Sequence, residues 1–304
     1  MNHRFIDVEG VKLHYVEAKP DKPAGTIIFL HGFPEYWASW QQQMNYFGHQ
    51  YQVIAPDLPG YNLSDKPDDI AFYQLAKLVP FMAKFVQQVC KANSAEHPVF
   101  LVAHDWGGAI AWPLVAFYPQ LFKKLIILNA AHPSTFTREM YCNPVQQKKS
   151  DYIHHLTAPD GPSRVRQNDF FLLRKMLFEG TCRTIFDDIQ RADYLVVWHQ
   201  AKAVEGMLSY YLMMPQQPPL LDETGDRQKL MKQAVKIPNI RISVPTLILW
   251  GEQDEAFVSD VLSGIEEYVS DCQIIRFRDA THWLHHEQPQ TVAKYIEEFI
   301  TVVE

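Results

Sequence analysis

The stretch Val102-Ala103-His104-Asp105-Trp106-Gly107-Gly108 decides how this chain folds. It follows the apolar run Pro98-Val99-Phe100-Leu101 and precedes an amphipathic, helix-like segment from Ala109 to Phe117. Strand, sharp turn and helix in that order make a nucleophile elbow, G-x-S-x-G in its usual form. The small residues Ala103, Gly107 and Gly108 fall where a strained turn needs room. The central residue, however, is Asp105 where Ser or Cys is usual. A hydroxyl or thiol there would form an acyl-enzyme, whereas a carboxylate forms an alkyl ester by attacking sp3 carbon. The expected substrate therefore carries a leaving group on carbon, such as an epoxide oxygen or a halide. An Asp capping a helix beside two turn glycines would look similar, so the rest of the chain must arbitrate.

Outward from the elbow, short apolar runs alternate with helical patterns. Phe5–Val8 and Lys12–Val16 flank Glu9-Gly10 and predict an opening hairpin. Thr26–Leu30, Gln52–Ala55 and Leu125–Asn129 read as buried strands, with a long helix over about Phe72–Lys91. The alternation breaks near His132 and resumes near Val244 with Pro245–Trp250, then Gln273–Phe277 and a final helix over Pro289–Val302. This pattern predicts an α/β fold with a mostly parallel sheet covered by helices. The interrupting segment has no strong strand run and many aromatics, as an inserted helical cap would. The expected division is a core of residues 1–131 and 241–304 and a cap of residues 132–240.

Composition sets the bounds. At 304 residues with 47% hydrophobic content the chain can build one full core plus an insertion. A net charge of −7 with no basic run argues against a nucleic-acid or anionic-membrane partner. No apolar stretch is long enough for a membrane span, and no signal peptide is visible at the start. The four scattered cysteines, Cys90, Cys142, Cys182 and Cys272, suit reduced, buried thiols in a cytoplasmic protein.

Ligands of open parallel sheets bind outside the carboxyl ends of the strands, and four such ends carry reactive groups. They are Asp105, His282 in Asp279-Ala280-Thr281-His282-Trp283, Asp254 in Trp250-Gly251-Glu252-Gln253-Asp254, and His31-Gly32-Phe33-Pro34-Glu35. An ester on Asp105 needs a base to activate water, and His282 suits that role. Asp254 would orient the imidazole, with Glu252 and Glu255 as rivals. Backbone N–H groups of Phe33 and Trp106 would form the oxyanion hole. His31, Pro34, Trp106 and Trp283 are expected to line the substrate pocket. His285 and His286 follow His282 closely, but their spacing is not a recognised metal pattern, so no metal and no cofactor are expected. Glu35 reads as a structural hydrogen-bond partner and Asp57 as part of a turn.

These residues together resemble the α/β-hydrolase superfamily, whose chain order of nucleophile, acid and histidine they follow, and within it the epoxide hydrolases. His31-Gly32-Phe33-Pro34 resembles the family's HGxP oxyanion motif. Residues Pro56 to Pro67 resemble its loop after the third core strand, and His104–Gly108 its elbow. Ala103, and Thr281 before His282, stand where the family often has Gly. The resemblance implies two cap tyrosines that protonate the ring oxygen. Tyr152 and Tyr211 sit in local patterns similar to the family's, with Tyr210 as a rival and Leu212 departing from a frequent Arg. It also implies a small apolar epoxide and water as partners and a monomer or homodimer. Haloalkane and haloacid dehalogenases share Asp105, His282 and the oxyanion hole, but need halide-binding N–H donors. Trp106 could give one. Phe33 gives none from its side chain, and Trp198 lies far along the cap. A non-catalytic ligand-binding homologue is the remaining alternative.

Overall fold

The computed structural model describes residues 1–92, 97–182, 184–220 and 236–302. Eight strands form one sheet in the order β1-β2-β4-β3-β5-β6-β7-β8. The strands are β1 (Asn2–Val8), β2 (Val11–Ala18), β3 (Thr26–Leu30), β4 (Gln52–Pro56), β5 (Val99–His104), β6 (Lys124–Leu128), β7 (Thr246–Gly251) and β8 (Cys272–Phe277). From β4 to β8 every neighbouring pair is parallel. The opening hairpin joins the sheet edge antiparallel, β1 on β2 and β2 on β4. Its two-residue turn places Glu9 at φ 52° and Gly10 at φ 83°, the left-handed conformations that a tight right-twisted hairpin needs.

Strands β3 to β6 read as continuous apolar runs because helices cover both faces of the sheet. Alternate residues of one strand feed opposite sides: Ile28 and Leu30 join one apolar cluster, Ile27 and Phe29 the other. Helices α2 (Leu75–Ala92) and α3 (Asp105–Phe117) bury Met82, Phe85, Ile110 and Leu114 in the first cluster. Helix α1 (Gln41–Phe47) and the closing helix Pro289–Thr301 bury Met44, Phe47, Val292 and Ile296 in the second.

Two helical spans differ from expectation. The helix expected over about Phe72–Lys91 is present as α2 but begins at Leu75, because a short 3-10 turn, Ile70–Tyr73, and an extended Gln74 precede it. Asp69 caps that turn by accepting the Ala71 N–H. The helix predicted from Ala109 begins at Asp105 itself. Between β6 and β7 the described residues contain helices only: α4 (Pro133–Cys142), α5 (Pro144–Lys149), α6 (Tyr152–Thr157), α7 (Gly161–Phe178), α8 (Asp188–Trp198) and α9 (Ala203–Leu212). Part of the expected cap, residues 221–235, lies outside the described residues. Among the described residues no helix is long and apolar enough to cross a membrane. None of the four cysteines is in a disulfide, but they are not all buried as expected: Cys142 and Cys182 are exposed and Cys90 and Cys272 partly buried.

Candidate active site

Strand β5 ends at His104 and the chain reverses at Asp105, whose φ of 49° is left-handed. That conformation is costly for a residue with a side chain and marks a held, functional turn. The two glycines behind it are steric requirements. A Cβ on Gly107 would lie 2.4 Å from the Leu30 carbonyl oxygen, and one on Gly32 would lie 2.2 Å from Asp105 Oδ1. Two loops thus close on the carboxylate from β3 and β5 together.

The closeness of Gly32 delivers the next backbone amide. Phe33 N–H donates to Asp105 Oδ1 at 2.6 Å. On the other side His282 Nε2 stands 3.5 Å from Asp105 Oδ2. Its Nδ1 lies 2.8 Å from Asp254 Oδ2. Asp254 is buried and fully engaged. Its Oδ2 also accepts Asn129 Nδ2 at 2.6 Å, and its Oδ1 accepts the N–H groups of Ala256 and Phe257. The rival acids are committed elsewhere: Glu252 pairs with Arg276 and Ser259, and Glu255 is exposed beside Lys149. The loops after β5, β7 and β8 therefore converge as the order of groups along the sequence leads one to expect.

Charge couples the three groups. Burial alone would raise the Asp105 carboxyl, but His282, His104 and the Phe33 N–H outweigh it and hold it below the usual carboxylate range. Asp254 is lowered in the same way, with burial opposing and His282 and Asn129 prevailing. Burial alone would lower the His282 imidazole; Asp254 and Asp105 overcome it and push it up to about 10. With Asp105 ionised, His282 is a cation held between two anions.

A cavity of about 70 Å³ opens in front of Asp105. Trp106, Tyr152, Tyr211, Phe136, Met214 and Phe257 are among its walls. It shares Leu75, Pro133, Pro215 and Gln216 with an apolar groove of about 730 Å³ that runs away from Asp105. Tyr211 stands edge-on to Trp106 and to Phe33, with ring centroids 5.2 and 5.1 Å apart, and 6.0 Å from Tyr152. Burial pushes both phenols upward, and the Asp105 charge adds to this. Both are consequently neutral O–H groups at pH 7. Tyr210, the rival, faces away and donates its hydroxyl to the Pro59 carbonyl at 2.8 Å.

The pocket expectation needs correction for three residues. Trp106 lines the cavity, but His31, Pro34 and Trp283 do not. His31 is fully buried, donating from Nδ1 to the Gly32 carbonyl and accepting the Leu58 N–H at Nε2. The Pro34 carbonyl accepts the Trp198 indole N–H, and the Trp283 indole donates to the Met176 carbonyl. All three brace the loops around the site instead of facing its contents. Asp57 is likewise more than a turn residue: it is fully buried, 2.6 Å from His14 Nδ1, and accepts the Trp37 N–H.

Two residues escape a reading of motifs. Asn129 ends β6 at φ 36°, donates to Asp254 and accepts the Gly251 N–H. Its place at a strand end, directly after Leu128, is the signal that could have found it. His104 donates from Nε2 to the His282 carbonyl at 2.8 Å, tying the elbow to the histidine loop. Nothing in its local sequence shows that contact.

The family described as alpha/beta hydrolase fold matches residues 25–289. The chain is 30% identical to "Epoxide hydrolase 2" of Caenorhabditis elegans, over 98% of this chain and 80% of that protein. It is equally similar, at 30%, to "AB hydrolase superfamily protein YfhM" of Bacillus subtilis, over 98% and 97% of the two chains. A solved structure of a point mutant of an epoxide hydrolase from Bacillus megaterium superposes with a TM-score of 0.82 at 31% identity, covering 98% and 100%.

Proposed function

Starting from the fact that the chain belongs to the α/β-hydrolase fold family, in its epoxide hydrolase branch, we propose that it opens an epoxide to a vicinal diol through a covalent ester on Asp105. The observation that carries this reading is one geometry. A carboxylate with its histidine and second acid faces, across one cavity, two buried neutral phenols.

In the first step the Asp105 carboxylate attacks an epoxide carbon and the C–O bond breaks. The ring oxygen takes a proton from Tyr152 or Tyr211, leaving a hydroxyalkyl ester and a phenolate. Esterification removes the Asp105 charge, one of the influences that keep His282 protonated. The imidazolium then gives its proton, through solvent, back to the phenolate and becomes a base. In the second step neutral His282, oriented by Asp254, takes a proton from water as it attacks the Asp105 ester carbonyl. The N–H groups of Phe33 and Trp106 stabilise the oxyanion. Collapse breaks the ester C–O bond, the His282 imidazolium protonates the leaving oxygen to release the diol, and the carboxyl proton of Asp105 then passes to His282. No metal or cofactor takes part.

Of the donors that a halide would need, the Trp198 indole is committed to the Pro34 carbonyl, and the Trp106 ring stands edge-on to Tyr211. We take residues 132–240 as a cap over the core formed by 1–131 and 241–304, because they bring Tyr152 and Tyr211 across from the strand ends. Cysteines without disulfides suit a cytoplasmic setting.

The deciding experiment gives the protein aryl and alkyl epoxides in one series and haloalkanes and haloacids in another, measuring diol and halide. Diol from epoxides is expected, and halide without diol would overturn the reading. With His282→Gln the same epoxide should leave an adduct on the Asp105 peptide, detected by mass spectrometry. If Asp105→Ala leaves the function intact, the protein only binds its ligand.

A further inference from the structure

Behind the catalytic histidine lies a second carboxylate–histidine cluster that the proposed reaction does not use. Glu35 is fully buried, and its Oε1 accepts the Tyr194 hydroxyl at 3.0 Å and His286 Nε2 at 2.6 Å. Its Oε2 has no hydrogen-bond partner, although His285 Nε2 and His104 Nδ1 both stand 3.4 Å away. His104 donates from Nε2 to the His282 carbonyl and turns its Nδ1 towards Glu35 Oε2. His285 is 1% exposed, and neither of its ring nitrogens has a hydrogen-bond partner. Its ring is enclosed by His104, His286 and Trp40, at centroid distances of 4.4, 4.2 and 4.8 Å. Unsatisfied buried polar atoms of this number in one place are costly and call for an explanation.

A cation supplies one. The donor atoms of Glu35, His285 and His286 lie within 4.8 Å of one another. Two imidazole nitrogens and a carboxylate oxygen are a donor set that zinc-type ions take, with a fourth position left over. In place of the 2.6 Å contact between Glu35 Oε1 and His286 Nε2, an ion would take both atoms as ligands. A small cavity of about 40 Å³, lined by Tyr36, Gln190, Asp193, Tyr194 and His286, leads in from the exposed Asp193.

We propose that Glu35, His285 and His286 form a binding site for a divalent transition metal of the zinc type, with the fourth position left to water. The site is separate from the catalytic cavity, since none of these residues lines it. It is nevertheless mechanically joined to it. His285 and His286 lie on the one-turn helix Leu284–Glu287 that follows His282 after Trp283, and His104 holds the His282 carbonyl. An ion there would fix the backbone that carries the general base.

The test reads metal and not turnover, so its failure is distinct from failure of the proposed reaction. Chelator-stripped protein is incubated with Zn2+ or Co2+, desalted, and its metal content measured. Wild type and His282→Gln should each retain one ion per chain. Glu35→Gln and His285→Phe should bind at least about 10-fold more weakly. If a cluster variant fails to fold, histidine side-chain 15N NMR of the wild type decides alone. Zn2+ should shift the ring signals of His285 and His286 and leave the Nδ1 and Nε2 signals of His282 in place. Absence of retained metal in wild type, its loss in His282→Gln, its undiminished retention in Glu35→Gln, or a shift confined to His282 would each overturn the proposal.

Discussion

Two carboxylate–histidine clusters draw on one short segment, His282 and the helix Leu284–Glu287 after it, and their difference is instructive. His282 sits between Asp254 and Asp105, and His285 and His286 sit against Glu35 only three and four residues later. In the first cluster each oxygen of Asp254 has hydrogen-bond partners, and Asp105 opens onto the cavity. In the second, Glu35 Oε2 meets His285 Nε2 and His104 Nδ1 only at 3.4 Å, outside hydrogen-bond geometry, and the cluster is closed to that cavity. The residue types are the same. Full satisfaction with one open face yields a poised nucleophile and base, while closure with unsatisfied polar atoms yields a place for a proton or a metal ion.

Substitutions can break this comparison. The largest effect is expected from Asp105→Ala, which should cut diol formation by at least about 10⁴-fold in steady-state assays. Retention of most activity would remove Asp105 from the chemistry altogether. Next come Tyr152→Phe and Tyr211→Phe, each expected to slow epoxide opening by about 10²-fold in single-turnover measurements. If neither slows it, the leaving oxygen is not protonated by these phenols. Glu35→Gln acts on stability first. Breaking a buried charged cluster should cost about 3 kcal/mol, read as a lower urea midpoint at constant slope. An unchanged midpoint would mean that the second cluster is structurally idle.

The finest test concerns the charge on His282. Its imidazole, pushed up to about 10, is protonated at pH 8 and loses its proton as the pH rises through that value. Both neighbouring carboxylates favour the charged form, so Asp254→Asn and Asp105→Asn should each lower it, Asp254→Asn more because Asp254 is the stronger influence. Histidine NMR titration checks this. A titration that stays in place in Asp105→Asn would contradict the idea that esterification frees the base.

Much of the sheet was legible because buried parallel strands must be apolar over their full length, as Thr26–Leu30 and Leu125–Leu128 are. Asp105 and the region of His282 were legible because strand ends in such a sheet point at a common crevice. Asp254 was separated from Glu252 and Glu255 only by contacts, since all three lie on one short loop. Tyr210 and Tyr211 are adjacent in sequence, and helix geometry alone sends one hydroxyl to Pro59 and the other ring to the cavity wall. His31, Pro34 and Trp283 look like pocket residues by position, yet their polar atoms are used up bracing loops.

By itself, the sequence determined the alternation of strands and helices and the carboxylate at the elbow, because periodicity and residue type are local properties. Tertiary structure alone decided which acid reaches His282, which tyrosine faces Asp105, and that Glu35 meets three histidines. Each of these depends on distances between segments far apart in the chain: 28 residues separate Asp254 from His282, and 251 separate Glu35 from His286. Hydrogen bonding and charge act over a few ångströms of space, and only the folded chain sets those.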